Sequence, residues 1–172
     1  MSRYDANNAD CFVFTFKEGL LSSVAHDLRL RVTQFLVEVD DHGSSVVASF
    51  DTSSLRVDTP MQGGVENPGA LSAADLDKIA SQIRLDVLHS ARHPTAEFRS
   101  TSLTARADGG YDVSGGLTLH GVTKSLVAHS RLVAGRQELE LPLHQPDFGI
   151  TPYRAMLGTL KIRADVTIRL VL

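Results

Sequence analysis

The sequence predicts an all-β fold with one accessory helix, its strands closing into an eight-stranded antiparallel barrel, and three observations predict it. From Leu160 to Leu172, the residues Leu160, Ile162, Ala164, Val166, Ile168, Leu170 and Leu172 share one face, while Lys161, Arg163, Asp165, Thr167 and Arg169 share the other. Successive side chains of a strand point to opposite faces, so a period of two marks a strand with one face against an apolar interior. Apolar stretches of strand length recur seven more times, most of them alternating in the same way and separated by turn residues. Only one stretch carries helical spacing instead. Eight antiparallel strands enclose a space that side chains fill or that holds one slender molecule.

The first strand is Cys11 to Lys17, with Phe12, Phe14 and Phe16 on one face and Val13, Thr15 and Lys17 on the other. Glu18 to Asp27 breaks the period and is expected to form a short helical turn. In the next strand Leu28, Leu30 and Val32 alternate with Arg29 and Arg31, then the apolar phase moves to Phe35, Val37 and Val39. That change implies a bulge or bend near Thr33 and Gln34, as where long strands turn barrel corners. Asp41-His42-Gly43 turns the chain into Ser44 to Leu55. Asp58 to Leu71, rich in Gly and Pro, reads as an exposed, mobile connection and a candidate lid. Ser72 and Asp75 then signal a helix start, and Leu76, Ile79, Ile83 and Val87 share one face, expected to pack on the sheet. Pro94 stops any continuation. The remaining strands are Thr95 to Thr104, Tyr111 to Leu119, Lys124 to Val133, Gln137 to His144 and Thr159 to Leu172, with Asp108-Gly109-Gly110 and Ala134-Gly135-Arg136 as turns.

At 172 residues the chain suits a single domain spanning its whole length, able to bury roughly two thirds of its unfolded surface. One cysteine, Cys11, cannot form an intramolecular disulfide and reads as a small buried thiol. The net charge of -3, with both signs interspersed, offers no basic stripe for nucleic acid. No window resembles a membrane span, and MSRYDANNAD lacks a secretory pattern, so the expected location is cytoplasmic.

Three segments of the second half carry a resemblance. HPTAEFRSTSL (His93 to Leu103), LTLHGVTKSL (Leu117 to Leu126) and DFGI (Asp147 to Ile150), in this order and spacing, resemble the YceI-like family of polyisoprenoid-binding proteins. With the opening strand and the helix the resemblance covers nearly the whole chain, and the middle motif is its most specific part. It implies a lipocalin-like barrel whose interior takes up a long isoprenoid chain, such as a polyprenyl diphosphate or a quinone tail. Many members of the family are exported, unlike the expectation here. Where better-known members have a segment resembling HSSVGFSVRHLG, this chain has SSVAHDLRLRV from Ser22 to Val32, which leaves the region of His26 and Asp27 open to another ligand.

Residues with chemistry are scattered. His26 and Asp27 are adjacent, so a strand would point them apart; at a barrel rim His26 is a candidate for holding a polar head group, or both stabilise a turn. His89 and His93 have the i, i+4 spacing of some zinc sites, yet Pro94 argues against a helix there and no third ligand follows at a convincing distance. His120 lies in the turn HGVTK and reads as structural. Neither a Gly-x-Ser-x-Gly elbow nor a phosphate-cradling loop is present. Gly115-Gly116 within a strand suggests a bend or close backbone approach. Small residues at Ser100, Ser102, Gly115, Ala128 and Ser130 against large Phe12, Phe14, Phe16 and Phe98 suggest a tunnel with rings at one end, and the inward face of Lys124 to Val133 stays open. Tyr153 and Arg154 suit a barrel mouth, with Arg154 meeting an anionic head or simply solvated.

The expected function is therefore non-catalytic binding of an isoprenoid, polyprenyl phosphate or quinone, without cofactor or metal. The expected ligand-binding residues are Phe14, Phe16, His26, Phe98, Tyr153, Arg154, Ile162 and Val166. Two alternatives remain: a cofactor-independent enzyme using the same cavity with His26 as base, and a dry-cored interaction module forming a homodimer.

Overall fold

The computed structural model describes residues 1–19 and 25–172. The chain forms β1 (Ser2–Tyr4), β2 (Asp10–Thr15), β3 (Lys17–Glu18), β4 (Asp27–Val32), β5 (Phe35–Val39), β6 (Val46–Asp51), β7 (Leu55–Gln62) and β8 (Val65–Glu66). The helix α1 (Ala73–Gln82) separates these from β9 (Thr95–Ala105), β10 (Tyr111–Leu119), β11 (Val122–Val133), β12 (Arg136–His144), β13 (Arg154–Ala155), β14 (Leu160–Ile162) and β15 (Asp165–Val171). Twelve strands make one curled antiparallel sheet in the order β1-β5-β6-β9-β10-β11-β12-β15-β2-β4-β7-β8, and β13-β14-β3 make a small second sheet. The helical turn expected between Glu18 and Asp27 falls largely on residues 20–24, outside the described residues.

The twelve-strand sheet replaces the expected count of eight because two long hairpin arms are bent and several short strands were illegible. β4 and β5 are consecutive in the chain but lie toward opposite ends of the sheet order, and so do β6 and β7. The corner is where the apolar phase shifts: Val32 and Phe35 are buried while Thr33 and Gln34 between them are exposed. Ser54 ties it. The Ser54 hydroxyl oxygen accepts from the Thr33 and Gln34 N–H groups at 3.2 and 3.0 Å, and the Thr33 hydroxyl donates to the Ser54 carbonyl at 2.9 Å. Bending one hairpin between the two ends of a sheet makes the sheet curl on itself. β1, in a start that carries no strand signal, adds to β5 at Ser2↔Val39 and Tyr4↔Val37.

The segment Asp58 to Leu71 is exposed over most of Gln62 to Gly69, as expected, but it carries strand structure where a connection without periodicity is expected. β7 runs on to Gln62, Thr59 and Pro60 are buried, and Gly63 and Gly64 turn the chain back into β8. The register between β4 and β7 slips at Arg29/Leu30, leaving Asp58 as the extra residue of a bulge. A bulge shifts the alternation by one, which is why the sequence looks aperiodic there. Asp58 is held by Arg29 at 2.5 Å, and Arg29 also reaches Glu66 at 2.5 Å.

α1 starts as its sequence predicts. Ser72 accepts from the Asp75 N–H at 3.2 Å and Asp75 accepts from the Ser72 N–H at 3.1 Å, satisfying two free donors reciprocally. A π-helical turn, Ile83–Val87, continues it. Ile79, Ile83 and Leu88 pack against a buried cluster built on Cys11, Leu28, Leu30, Phe35, Val37 and Leu55. Ile83 and Leu88 also pack against a second cluster of Val87, Leu117, Leu143, Phe148, Ile150 and Val166. Val13 and Phe98 likewise touch both clusters. Phe98 owes its position to Gly115, where a Cβ would lie 2.5 Å from the Phe98 ring and from the Arg99 carbonyl.

Candidate functional site

The strands leave their inner face to an apolar cavity of about 790 Å³. Alternation decides who lines it: Cys11, Val13 and Thr15 from β2, Leu28, Leu30 and Val32 from β4, and Val166, Ile168 and Leu170 from β15. These three strands pair side by side, with Val13 opposite both Leu30 and Ile168. At about 3.4 Å per residue, β15 alone extends about 20 Å, room for a slender chain. The volume lies in the range of pockets that enclose small molecules, roughly 300–1,000 Å³. On β11 the open question of facing resolves: Leu126, Ala128 and Ser130 line the cavity, while Val127 is 57% exposed.

Of the eight residues singled out from sequence, His26, Phe98, Tyr153, Ile162 and Val166 line this one cavity. Phe14, Phe16 and Arg154 do not. Phe12 and Phe14 stand on the outer face with rings 6.4 Å apart, because their cross-strand neighbours there are the arginines of β4: Phe12 faces Arg31 and Phe14 faces Arg29. The Arg31 and Arg29 guanidiniums sit 4.5 and 5.1 Å from the Phe12 ring centroid, and Arg163 lies 5.9 Å from that of Phe16. Cationic side chains thus cover the rings from solvent, stems along the apolar surface and heads over the π faces. The expected rings at one end of a tunnel reduce to Phe98. Arg154 is exposed and lies opposite Lys161, while its chain neighbours Tyr153 and Ala155 line the cavity. Ser100, expected among the small inward residues, instead accepts from the Val46 N–H at 2.8 Å.

Ionisable groups on the wall are few. Cys11 is 3% exposed, and burial pushes its thiol up to about 12, so it stays neutral and unreactive. Asp27, adjacent to His26, accepts from the Lys17 N–H at 2.8 Å and so clamps β4 to β3 rather than orienting the imidazole. Ser130 accepts from the Tyr111 N–H at 2.9 Å and donates to Gln137 at 2.7 Å. The base-and-orienter pairing that nucleophilic or general-base catalysis uses is absent around His26 among the described residues.

Sequence spacing missed one cluster. His89 and His93 follow the π-helical turn, His120 sits in the β10–β11 turn, and the fold brings all three together. The His89 Nδ1 and His120 Nε2 are 3.1 Å apart, and the His93 and His120 ring centroids 4.2 Å apart. His120 has φ 53° and Gly121 φ 77°, the left-handed pair of a tight hairpin turn. Desolvation, then the charges of His93, His89 and Arg92, lower the His120 pKa, against a contrary pull from the Phe148 carbonyl. Among the described residues no three His, Cys, Asp or Glu side chains are arranged to hold a metal. Nor is any described helix long and apolar enough to cross a membrane.

Known proteins resemble this chain in sequence and in fold. A UPF0312 protein of Azotobacter vinelandii is 42% identical over 48 residues, 28% of this chain and 25% of its own length. A UPF0312 protein of Vibrio cholerae is 32% identical over 96 residues, 55% of this chain and 42% of its own. The chain thus matches less than half the length of these relatives. Among solved structures, BcnA of Burkholderia cenocepacia superposes with a TM-score of 0.64 at 15% identity, covering 98% of both chains. A polyisoprenoid binding domain from Saccharophagus degradans, implicated in plant cell wall breakdown, gives 0.62 at 16% identity over 95% of this chain and 91% of that one. At such identities the likeness establishes the fold. The YceI-like domain matches residues 4–172, nearly the whole sequence, and the chain belongs to the YceI-like family.

Proposed function

We propose that the protein binds a lipophilic small molecule of the isoprenoid or quinone class in its cavity and carries it chemically unaltered. The observation that carries this reading is the wall itself: an apolar space of about 790 Å³, lined along the length of three paired strands and closed on one side by α1. The polyisoprenoid-binding relative of the same fold supports the ligand class. A carrier also suits the energetics. Withdrawing a chain from water contributes about 0.8 kcal/mol per methylene, but a bilayer offers nearly the same transfer, so uptake and release stay close to balance.

A dry-cored interaction module fits less well, since a solid core leaves no such void. An enzyme using His26 as base would need an orienting partner that the adjacent Asp27 does not supply. Native mass spectrometry of the freshly purified protein, followed by organic extraction, tests the carrier. The expected result is a bound lipophile of constant mass that survives prolonged incubation. An empty protein that also fails to take up farnesol or a short-tailed quinone, or one that converts either, overturns it.

A further inference from the structure

The carrier reading does not say which head group the apolar tail bears, and the cavity wall bears on that choice. Among the described residues that line it there is no Lys, Arg or Glu. Residues 20–24 read LLSSV, so the stretch outside the described residues holds no cation either. The three lining aspartates are already engaged. Asp40 accepts from the Ser44 and His42 N–H groups at 2.7 and 3.1 Å and from the Ser44 and Ser45 hydroxyls, Asp51 accepts from the Ser53 N–H at 2.7 Å, and Asp41 pairs with the Met1 amino group. The cations of β13 and β14 stand on the other face of the small sheet. Arg154 and Lys161 are paired opposite each other, with Glu18 opposite Lys161, and both alternate with the residues that face the cavity.

What the wall offers is hydrogen-bonding capacity. Tyr4, Tyr111, Tyr153 and His26 line the cavity, and no hydrogen bond engages any of these four side chains among the described residues. A phosphate monoester carries about 1.5 to 2 negative charges near neutral pH, and drawing that charge into an apolar space without a cation is strongly unfavourable. A hydroxyl or quinone carbonyl needs only one hydrogen bond to be satisfied.

Resting on the carrier reading above, we infer that the cavity selects a neutral lipophile, an isoprenoid alcohol or quinone whose oxygen accepts a hydrogen bond from a wall tyrosine or from His26, and discriminates against the phosphate of the same chain. The test compares geranylgeraniol with geranylgeranyl monophosphate in displacing N-phenyl-1-naphthylamine from the purified protein at neutral pH. The alcohol is expected to bind at least about tenfold more tightly. Equal or tighter binding of the phosphate overturns the selectivity and leaves the carrier intact, whereas failure of both compounds overturns the carrier as well. Gln82→Arg supplies the missing cation, since Gln82 lines the cavity and its side chain has no hydrogen-bond partner among the described residues. It is expected to raise phosphate affinity by about tenfold with little change for the alcohol. A folded Gln82→Arg that binds the phosphate no better removes the absent cation as the cause and overturns the inference; if the variant does not fold, the wild-type ratio decides.

Discussion

Along β2 the inner face reads Cys11, Val13, Thr15 and the outer face reads Phe12, Phe14, and the bulkier, more hydrophobic set is the one outside. The difference lies in the neighbours. Inside, Val13 meets Leu30 and Ile168 across the ladder; outside, Phe12 meets Arg31 and Arg169. Small inner residues leave a void in the middle of the molecule, while the rings serve as platforms for guanidiniums that are themselves anchored by carboxylates. Arg31 reaches Asp10 at 2.6 Å and Arg169 reaches Glu138 at 2.9 Å. Hydrophobicity alone therefore misassigns the faces of β2, and cross-strand pairing assigns them correctly.

The largest expected effect comes from the inner face. Leu30 is 2% exposed at the centre of the wall, and Leu30→Ala is expected to lower unfolding stability by about 2–5 kcal/mol, the usual range for truncating a buried leucine. Urea unfolding measures it. A loss below about 1 kcal/mol would mean that this wall collapses easily and that the cavity is not held open by packing.

Next comes a pair of adjacent positions on β11. Ala128 is buried on the cavity wall and Val127 is 57% exposed outside it. Ala128→Phe fills existing space, so it is expected to weaken N-phenyl-1-naphthylamine binding by about tenfold while stability changes by about 1 kcal/mol or less. Val127→Phe is expected to leave the affinity unchanged. Equal effects from the two substitutions would break the assignment of faces.

These positions also show what was legible. The last strand was in part: its even residues from Val166 to Leu172 all face the cavity and its charges stand at odd positions, but the single strand expected from Thr159 to Leu172 breaks at Arg163 and Ala164 into β14 and β15, which lie in different sheets. The helix start was, because a capping box is local chemistry. β2 was not: both of its faces are apolar, and only its partners' arginines decide between them. The strand β7 past Asp58 was hidden by a bulge, and β1 by its brevity. The helix stripe reads as packing on the sheet, yet Ile79 and Ile83 also line the cavity. His89, His93 and His120 come from two turns about thirty residues apart in sequence, and no spacing rule joins residues that meet only through tertiary structure.

A smaller effect is expected on the outer face. Phe12 is half-buried beneath two arginines, so Phe12→Ala is expected to cost about 1–2 kcal/mol through lost ring contacts, with probe affinity unchanged. Parallel unfolding and binding titrations separate the two quantities. If affinity falls in a fully folded variant, the rings belong to the site after all.

The smallest effect tests the histidine cluster, which lies away from the cavity wall. Elsewhere the arginines of β2's neighbours are paired with acids, whereas His89, His93 and His120 gather with Arg92 and no carboxylate contributes to the His120 titration. The His120 pKa is lowered from 6.5 first by desolvation and then by its cationic neighbours, which means the unfolded chain takes up this proton more readily than the folded one. Stability from this group is thus complete above the unfolded value and is lost as pH falls from about 6.5 toward the lower folded value, levelling below it. His120→Asn removes the titration and suits the left-handed backbone at φ 53°, since Asn followed by Gly favours such a turn. Melting temperature followed from about pH 8 down to about pH 5 should therefore fall less steeply in the variant than in the wild type, with the two diverging only below about pH 6.5. Parallel curves would show that the three imidazoles shed their repulsion by rotating into solvent. In that case the β10–β11 turn is held by Gly121 and the hairpin geometry, and not by contact among the rings.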